Sequence, residues 1–207
     1  MTLEQTIADY NKLGEFFSPD YGRENEVLSA YKSEHGSLSD MQVNTLIDIL
    51  NSKDDWTEKF FVADLLYLYP DFPVALVDPM LYCAVTYQDP SFDRIFLRPC
   101  MNRIGTRTVV DKLISYLETG TMKERMGVTL LSYWIRGDES SRTALNAAMM
   151  TLASKTTNPV ELYHYKLRLD GTIPLFSSIP NDAQGLKDLV KGKPDLEGIL
   201  FDQLGWK

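Results

Sequence analysis

Four arginines in the middle of the chain are the residues whose type and spacing most clearly suggest chemistry. Arg94 and Arg98 are four positions apart, and Arg103 and Arg107 repeat that spacing. Residues four apart share one face of an α-helix, so the spacing predicts a basic strip in an otherwise acidic chain. Arginine is enriched at protein interaction hot spots and also neutralises nucleic-acid phosphates, so the strip could contact either kind of partner.

Tyrosine side chains could extend this strip into a binding surface. Tyr67 and Tyr133 occupy equivalent positions in two matching stretches of the chain, and we expect them to project from neighbouring helices. The candidate partner-binding residues are therefore Tyr67, Arg94, Arg98, Tyr133 and Arg136. The alternative is structural, because aromatic residues at helical spacing are more often core residues. In that case the tyrosines pack between repeats and the arginines pair with Asp89, Asp93 or Asp111.

Histidine and cysteine residues are too few and too scattered to predict a metal or catalytic site. His35 and His164 are far apart in sequence and match no spacing such as His-Glu-x-x-His, which predicts surface or interface histidines. Cys83 and Cys100 have apolar neighbours, as inert buried thiols do, and no C-x-x-C pair occurs. We therefore expect no metal and no cofactor.

Two acidic pairs have the residue types of a general acid and base. Asp54-Asp55 and Asp138-Glu139 each fall at a predicted helix start, however, where carboxylates cap the helix and complement its dipole. The glycines form neither G-x-G-x-x-G nor G-x-x-x-x-G-K-[ST], and no G-x-S-x-G occurs. These patterns favour a protein that is not an enzyme.

The charge of the whole chain restricts its partners. The 207 residues carry a formal charge of −8 and the pI is about 4.8, so nucleic-acid binding is disfavoured and a basic partner protein is favoured.

No apolar stretch is long enough to span a bilayer, so we expect no membrane partner. The first residues do not resemble a secretory signal, and two cysteines do not suggest a disulfide framework. The expected location is the cytoplasm.

Helix-start signals recur along the chain at nearly regular intervals. Three segments place a capping oxygen three residues before Glu or Gln, namely Ser39–Gln42, Asp55–Glu58 and Thr121–Glu124. Three more place a capping residue before proline, namely Asp78-Pro79, Asp89-Pro90 and Asn158-Pro159. The apolar residues behind these starts follow a helical period. We predict helices at 3–14, 24–34, 39–51, 56–69, 78–88, 91–104, 107–118, 122–136, 140–153, 159–168, 183–191 and 195–204.

Two stretches of the chain match each other at a separation of about 66 residues, which is typical of repeat architectures. The first set is Val43, Leu46, Ile47 and Leu50, which recur as Val110, Leu113, Ile114 and Leu117. The second set is Glu58, Lys59, Val62, Leu65 and Tyr67, which recur as Glu124, Arg125, Val128, Leu131 and Tyr133. If this period spans two helix hairpins, residues 76–105 form an intervening hairpin. We expect Pro99 to kink the second helix of that hairpin.

Across residues 39–168, an amphipathic helix, a short polar turn and a second apolar helix alternate in a pattern that resembles the HEAT and armadillo family. Residues 105–134 look like a single HEAT unit. The resemblance implies one all-α domain, a right-handed α-solenoid of about five to six antiparallel helix pairs. Residues 1–35 and 170–207 would then be an N-terminal cap and a loop-rich C-terminal cap with an ordered apolar end.

Three classes of function are consistent with these patterns. The leading class is a non-catalytic interaction protein of the immunity or adaptor type, whose groove binds another protein. The second is an enzyme on a HEAT-like scaffold, such as an alkylpurine DNA glycosylase, with the arginine strip beside Tyr133 and Trp134 as its site. The third is a structural subunit that self-associates through an open end of the solenoid.

Overall fold

The computed structural model describes residues 1–12, 26–53, 56–87, 93–135 and 138–200. These residues form helices and turns without a strand, which confirms the predicted all-α class. Within these ranges, no helix has both the length and the apolar character needed to cross a membrane. The α-helices are α1 (Leu3–Lys12), α2 (Glu26–His35), α3 (Asp40–Asn51), α4 (Trp56–Leu68), α5 (Val77–Tyr87), α6 (Asp93–Ile104), α7 (Thr106–Thr119), α8 (Met122–Leu131), α9 (Glu139–Ala153), α10 (Pro159–Lys166), α11 (Ala183–Val190) and α12 (Pro194–Gly198).

Capping side chains begin several of these helices at the predicted positions. Ser39 and Thr121 each form a capping box with the Gln or Glu three residues later. The side chain of Asn158 accepts hydrogen bonds from the first backbone N–H groups of α10. These caps satisfy donors that have no partner within the helix, so they define where each helix begins. The predicted caps Asp55 and Asp89 lie outside the described residues.

Several helix boundaries in the described ranges differ from the prediction by one or more residues. α5 begins at Val77, one residue earlier than predicted, so Asp78 lies in its first turn. α8 ends at Leu131, five residues earlier than predicted, and a 3₁₀-helix at Ser132–Trp134 follows it. Pro99 lies inside α6, and this helix ends at Ile104, where the predicted helix also ends.

The two matching stretches form helix hairpins with the same buried positions. α3 packs against α4 in the first hairpin, and α7 packs against α8 in the second. Leu46 and its equivalent Leu113 are fully buried, as are Leu65 and its equivalent Leu131. The shared apolar residues therefore describe how each hairpin is packed.

The chain divides into two compact units, of which the first comprises residues 1–84 and 91–105. Its central helix is α4, in which every residue from 59 to 66 is buried. A helix that is apolar on all sides needs neighbours on all sides, and α1, α2, α3 and α6 pack around it. The hydroxyl of Tyr10 donates a hydrogen bond of 2.7 Å to the buried carboxylate of Asp64.

The second unit comprises residues 85–90 and 106–207. In its described part, α7 packs against α8 and α9, and α10 packs against α8, α9 and α11. Gly127 of α8 lies against the backbone of Val85, whose carbonyl oxygen would be only 1.8 Å from an added Cβ atom. This close approach requires glycine at position 127.

Candidate functional site

The structure distributes the predicted partner-binding residues over both units. Tyr67 of α4 and both Arg94 and Arg98 of α6 belong to the first unit, on two helices that pack against each other. All three side chains are half-buried, and each makes a polar or aromatic contact. Tyr133 belongs to the second unit, and Arg136 lies outside the described residues.

The predicted arginine strip does not continue as one helical face. Gly105, with a positive φ of 82°, separates α6 from α7, so Arg103 and Arg107 lie on different helices. The Nε group of Arg103 donates a 2.6 Å hydrogen bond to the carbonyl oxygen of Phe72. Arg107 forms a 3.2 Å ion pair with Asp111, which is one of the pairings that the structural alternative predicts. These two arginines therefore have intramolecular roles.

A cavity of about 780 Å³ in the second unit surrounds the exposed Tyr133, and we call it the Tyr133 groove. Its walls come from the turn after α8, the first two turns of α9 and the residues that follow α10. The residues that give the groove its chemical character are Tyr133, Asp138, Glu139, Arg142, Leu167 and Arg168.

Arg168 is held in the groove by two contacts. Its Nε group donates a 2.9 Å hydrogen bond to the carbonyl oxygen of Thr129, and its Cζ atom lies 5.7 Å from the ring centroid of Tyr133. Thr129 is in the last turn of α8, where carbonyl groups need partners from outside the helix. The hydroxyl of Ser132 donates to the same carbonyl oxygen at 2.7 Å. The end of α8 thus positions both the guanidinium and the aromatic ring.

Two apolar side chains in the groove are unusually accessible. Tyr133 is 49% exposed and Leu167 is 44% exposed, although both are large. The ring of Trp134 meets the ring of Tyr133 edge-on, with a centroid separation of 4.9 Å. This contact and the guanidinium of Arg168 hold Tyr133 in place while much of its surface faces solvent.

Asp138 and Glu139 form the acidic side of the groove. Asp138 caps α9, and the hydrogen bonds from Ser141 and Ser140 lower the pKa of its carboxyl group to about 2. The carboxylate is therefore ionised at neutral pH and serves as a helix cap, as the sequence predicts for this pair. Glu139 forms a 2.6 Å ion pair with Arg142, and both side chains are largely exposed.

Sequence reasoning missed three residues of this groove, namely Arg142, Leu167 and Arg168. Arg142 and Arg168 lie outside the arginine pattern at 94–107, and Leu167 is part of an apolar run that reads as core. The predicted helix at 159–168 includes Leu167 and Arg168, whereas α10 ends at Lys166 and both residues follow it. Only the packing of α8, α9 and α10 brings them beside Tyr133.

Both cysteines and His164 are buried. Cys83 and Cys100 are free and fully buried, as predicted, and burial raises the pKa of Cys83 to about 11. His164 is also buried, because α10 packs on several helices, so it does not have a surface position, and His35 is half-buried. Burial and the neighbouring charge of Arg168 lower the pKa of His164 to about 4. Across the described ranges, His, Cys, Asp and Glu form no cluster that could hold a metal ion.

The chain was compared with family models, with curated proteins and with solved structures, and none of them matches it. The features that bear on its function are therefore an all-α fold and a groove with an aromatic, an aliphatic and two guanidinium side chains.

Proposed function

We propose that this protein is a non-catalytic protein–protein interaction module and that the Tyr133 groove is its binding surface. The observation that carries the proposal is the presentation of exposed Tyr133 beside a fixed Arg168 and an exposed Leu167. Tyrosine and arginine are enriched among the residues that contribute most to interface affinity. Side chains that are ordered before binding lose less conformational entropy when a partner arrives.

The proposed scaffold is a HEAT-like, right-handed α-solenoid with atypical ends. Its support is the duplicated pattern, because two hairpins bury equivalent residues in α3, α4, α7 and α8. Grooves on helical repeat proteins commonly bind other proteins, as in adaptors. The two free, buried cysteines suit the reducing cytoplasm that we propose as the location.

The alternative of a DNA glycosylase has less support. Such an enzyme needs basic residues available for phosphates and an acid beside aromatic residues. Arg103 and Arg107 are engaged within the chain, and Asp138, which is the acid near Tyr133, caps α9.

Site-specific crosslinking tests the proposal directly. A benzophenone amino acid in place of Tyr133 should crosslink one partner protein in cells, whereas the same group in place of Tyr82 should not. Tyr82 is a matched control because it is 45% exposed and belongs to the first unit. Equal crosslinking from both positions, or none from position 133, would reject the groove as the binding surface.

A further inference from the structure

The guanidinium of Arg168 is fixed in place, yet most of its hydrogen-bonding capacity is unused. Its Nε group donates to Thr129, and its plane lies near the ring of Tyr133. Among the described residues, no carboxylate pairs with Arg168, its two terminal nitrogens donate no hydrogen bond, and the side chain is half-buried. An arginine presents its donors as a rigid fork that matches the two oxygens of a carboxylate.

We propose that the Tyr133 groove recognises an aspartate or glutamate side chain of the partner protein, with Arg168 as the receptor for its carboxylate. This inference rests on the proposed function and specifies the chemistry of the partner. The exposed side chains of Tyr133 and Leu167 would contact an apolar residue next to that acid. The recognised element is thus an apolar residue beside an acidic one.

The charges around the groove leave Arg168 available for an anion. Glu139 is paired with Arg142 at 2.6 Å, and the carboxylate of Asp138 accepts hydrogen bonds from Ser140 and Ser141. Arg168 is therefore the cation of the groove that has no acidic partner within the described chain. A half-buried, unpaired guanidinium gains more from a carboxylate than an exposed one does, because the pair is less screened by water.

The size of the groove favours an internal segment of the partner over a lone carboxylate. Its volume of about 780 Å³ is much larger than one carboxylate requires and is typical of pockets that enclose larger ligands. The rest of the space would hold the residues on both sides of the acid. We therefore assign the carboxylate to a side chain within a continuous segment, not to a chain terminus.

Three short peptides test this assignment on the full chain. The first is acetyl-Ala-Leu-Glu-Ala-amide, whose only carboxylate is the glutamate side chain. The second has Gln in place of Glu, and the third has Gln together with a free terminal carboxylate. Each is titrated into the isotopically labelled protein while the Nε–H signal of Arg168 is followed by NMR.

We expect the glutamate peptide to shift the Arg168 signal and to bind about 10-fold more tightly than either glutamine peptide. The net charge of −8 works against the glutamate peptide, so nonspecific electrostatics cannot produce this preference. Equal affinity for the first two peptides, or no binding by any peptide at roughly 10 mM, would overturn the assignment of a carboxylate receptor. Tighter binding of the third peptide would overturn the assignment to an internal side chain.

Variants of the protein test whether Arg168 is the residue that binds the carboxylate. Arg168→Lys should reduce the preference for glutamate to less than about 3-fold, because lysine cannot form the bidentate pair. Arg107→Lys, at an exposed arginine in the same unit, should leave it unchanged. If Arg168→Lys does not fold, Leu167→Glu is used instead. Position 167 is exposed and tolerates a charged side chain, and the new carboxylate would pair with Arg168 and block it. A preference that survives in the folded variant excludes Arg168 as the receptor.

The outcomes separate this inference from the proposed function. If position 133 crosslinks one partner but the peptides show no preference for glutamate, the interaction function stands and the acidic specificity fails. If position 133 yields no specific crosslink, the proposed function fails first.

Discussion

Arg125 and Glu161 show how a charged residue can serve packing instead of partner binding. Glu161 is buried, and its carboxylate accepts hydrogen bonds from Arg125 at 2.7 Å, from Tyr165 at 3.1 Å and from Thr156 at 2.9 Å. Arg125 is equivalent to Lys59 in the matching stretch, where the ammonium lies 4.6 Å from the ring centroid of Trp56. The shared cationic position therefore has a structural role in both hairpins.

Arg125→Met should lower the free energy of unfolding by about 3 kcal/mol, because it leaves a buried carboxylate without its cation. Arg107→Met is the matched control, since the Asp111 partner of Arg107 is exposed. Its cost should stay below about 0.5 kcal/mol. Urea unfolding of both variants measures the difference, and similar costs for the two would contradict a stabilising role for the Arg125–Glu161 pair.

His164 should make the free energy of unfolding depend on pH between its pKa in the folded protein and its pKa in the unfolded chain. Its folded pKa of about 4 is below its ordinary value of 6.5, so the unfolded chain binds a proton more readily. Stability is then fully present above pH 6.5 and falls as the pH decreases toward 4. We expect the wild-type protein to lose about 2 kcal/mol more than His164→Gln between pH 7.5 and pH 5. Parallel pH profiles of the two proteins in urea unfolding would rule out this contribution.

The helix starts are predictable at the scale of elements because their signals are local. The boxes at Ser39 and Thr121 each involve residues three positions apart, so the sequence contains all the information needed. The end of α8 is different, because the carbonyl of Thr129 bonds to Arg168, which is 39 residues away. A long-range contact of this kind leaves no periodic pattern, and for this reason the predicted helix extends beyond Leu131.

Gly127→Ala tests the tight packing of α8. The added methyl group would collide with backbone atoms of Val85, which cannot move as easily as a side chain. We expect a loss of about 2 kcal/mol or more in the free energy of unfolding, despite the better helix propensity of alanine. Gly171→Ala is the control, because its nearest neighbours are flexible side-chain atoms of Lys166 at 3.6 Å. Equal thermal stability of the two variants would show that α8 can shift without cost.

At the scale of the whole molecule, the sequence predicts the helical class and most helix positions, but it assigns a binding role to only one residue of the described groove, Tyr133. Tyr133 is identifiable because it has an equivalent in Tyr67, whereas Arg168 has no such counterpart. The groove forms where the ends of α8 and α10 meet the start of α9, and the spacing of residues in the sequence does not encode that meeting. The proposed binding surface therefore depends on long-range packing more than on any motif.

The most direct test of the proposed interaction function is the affinity of the crosslinked partner for purified variants, measured by calorimetry. Tyr133→Ala should weaken binding by about 30-fold, as expected for an interface hot spot, and should retain the wild-type melting temperature. Tyr82→Ala, which removes a comparably exposed tyrosine from the first unit, should change the affinity by less than about 2-fold. Equal affinities of the wild-type protein and Tyr133→Ala would contradict a binding role for the Tyr133 groove.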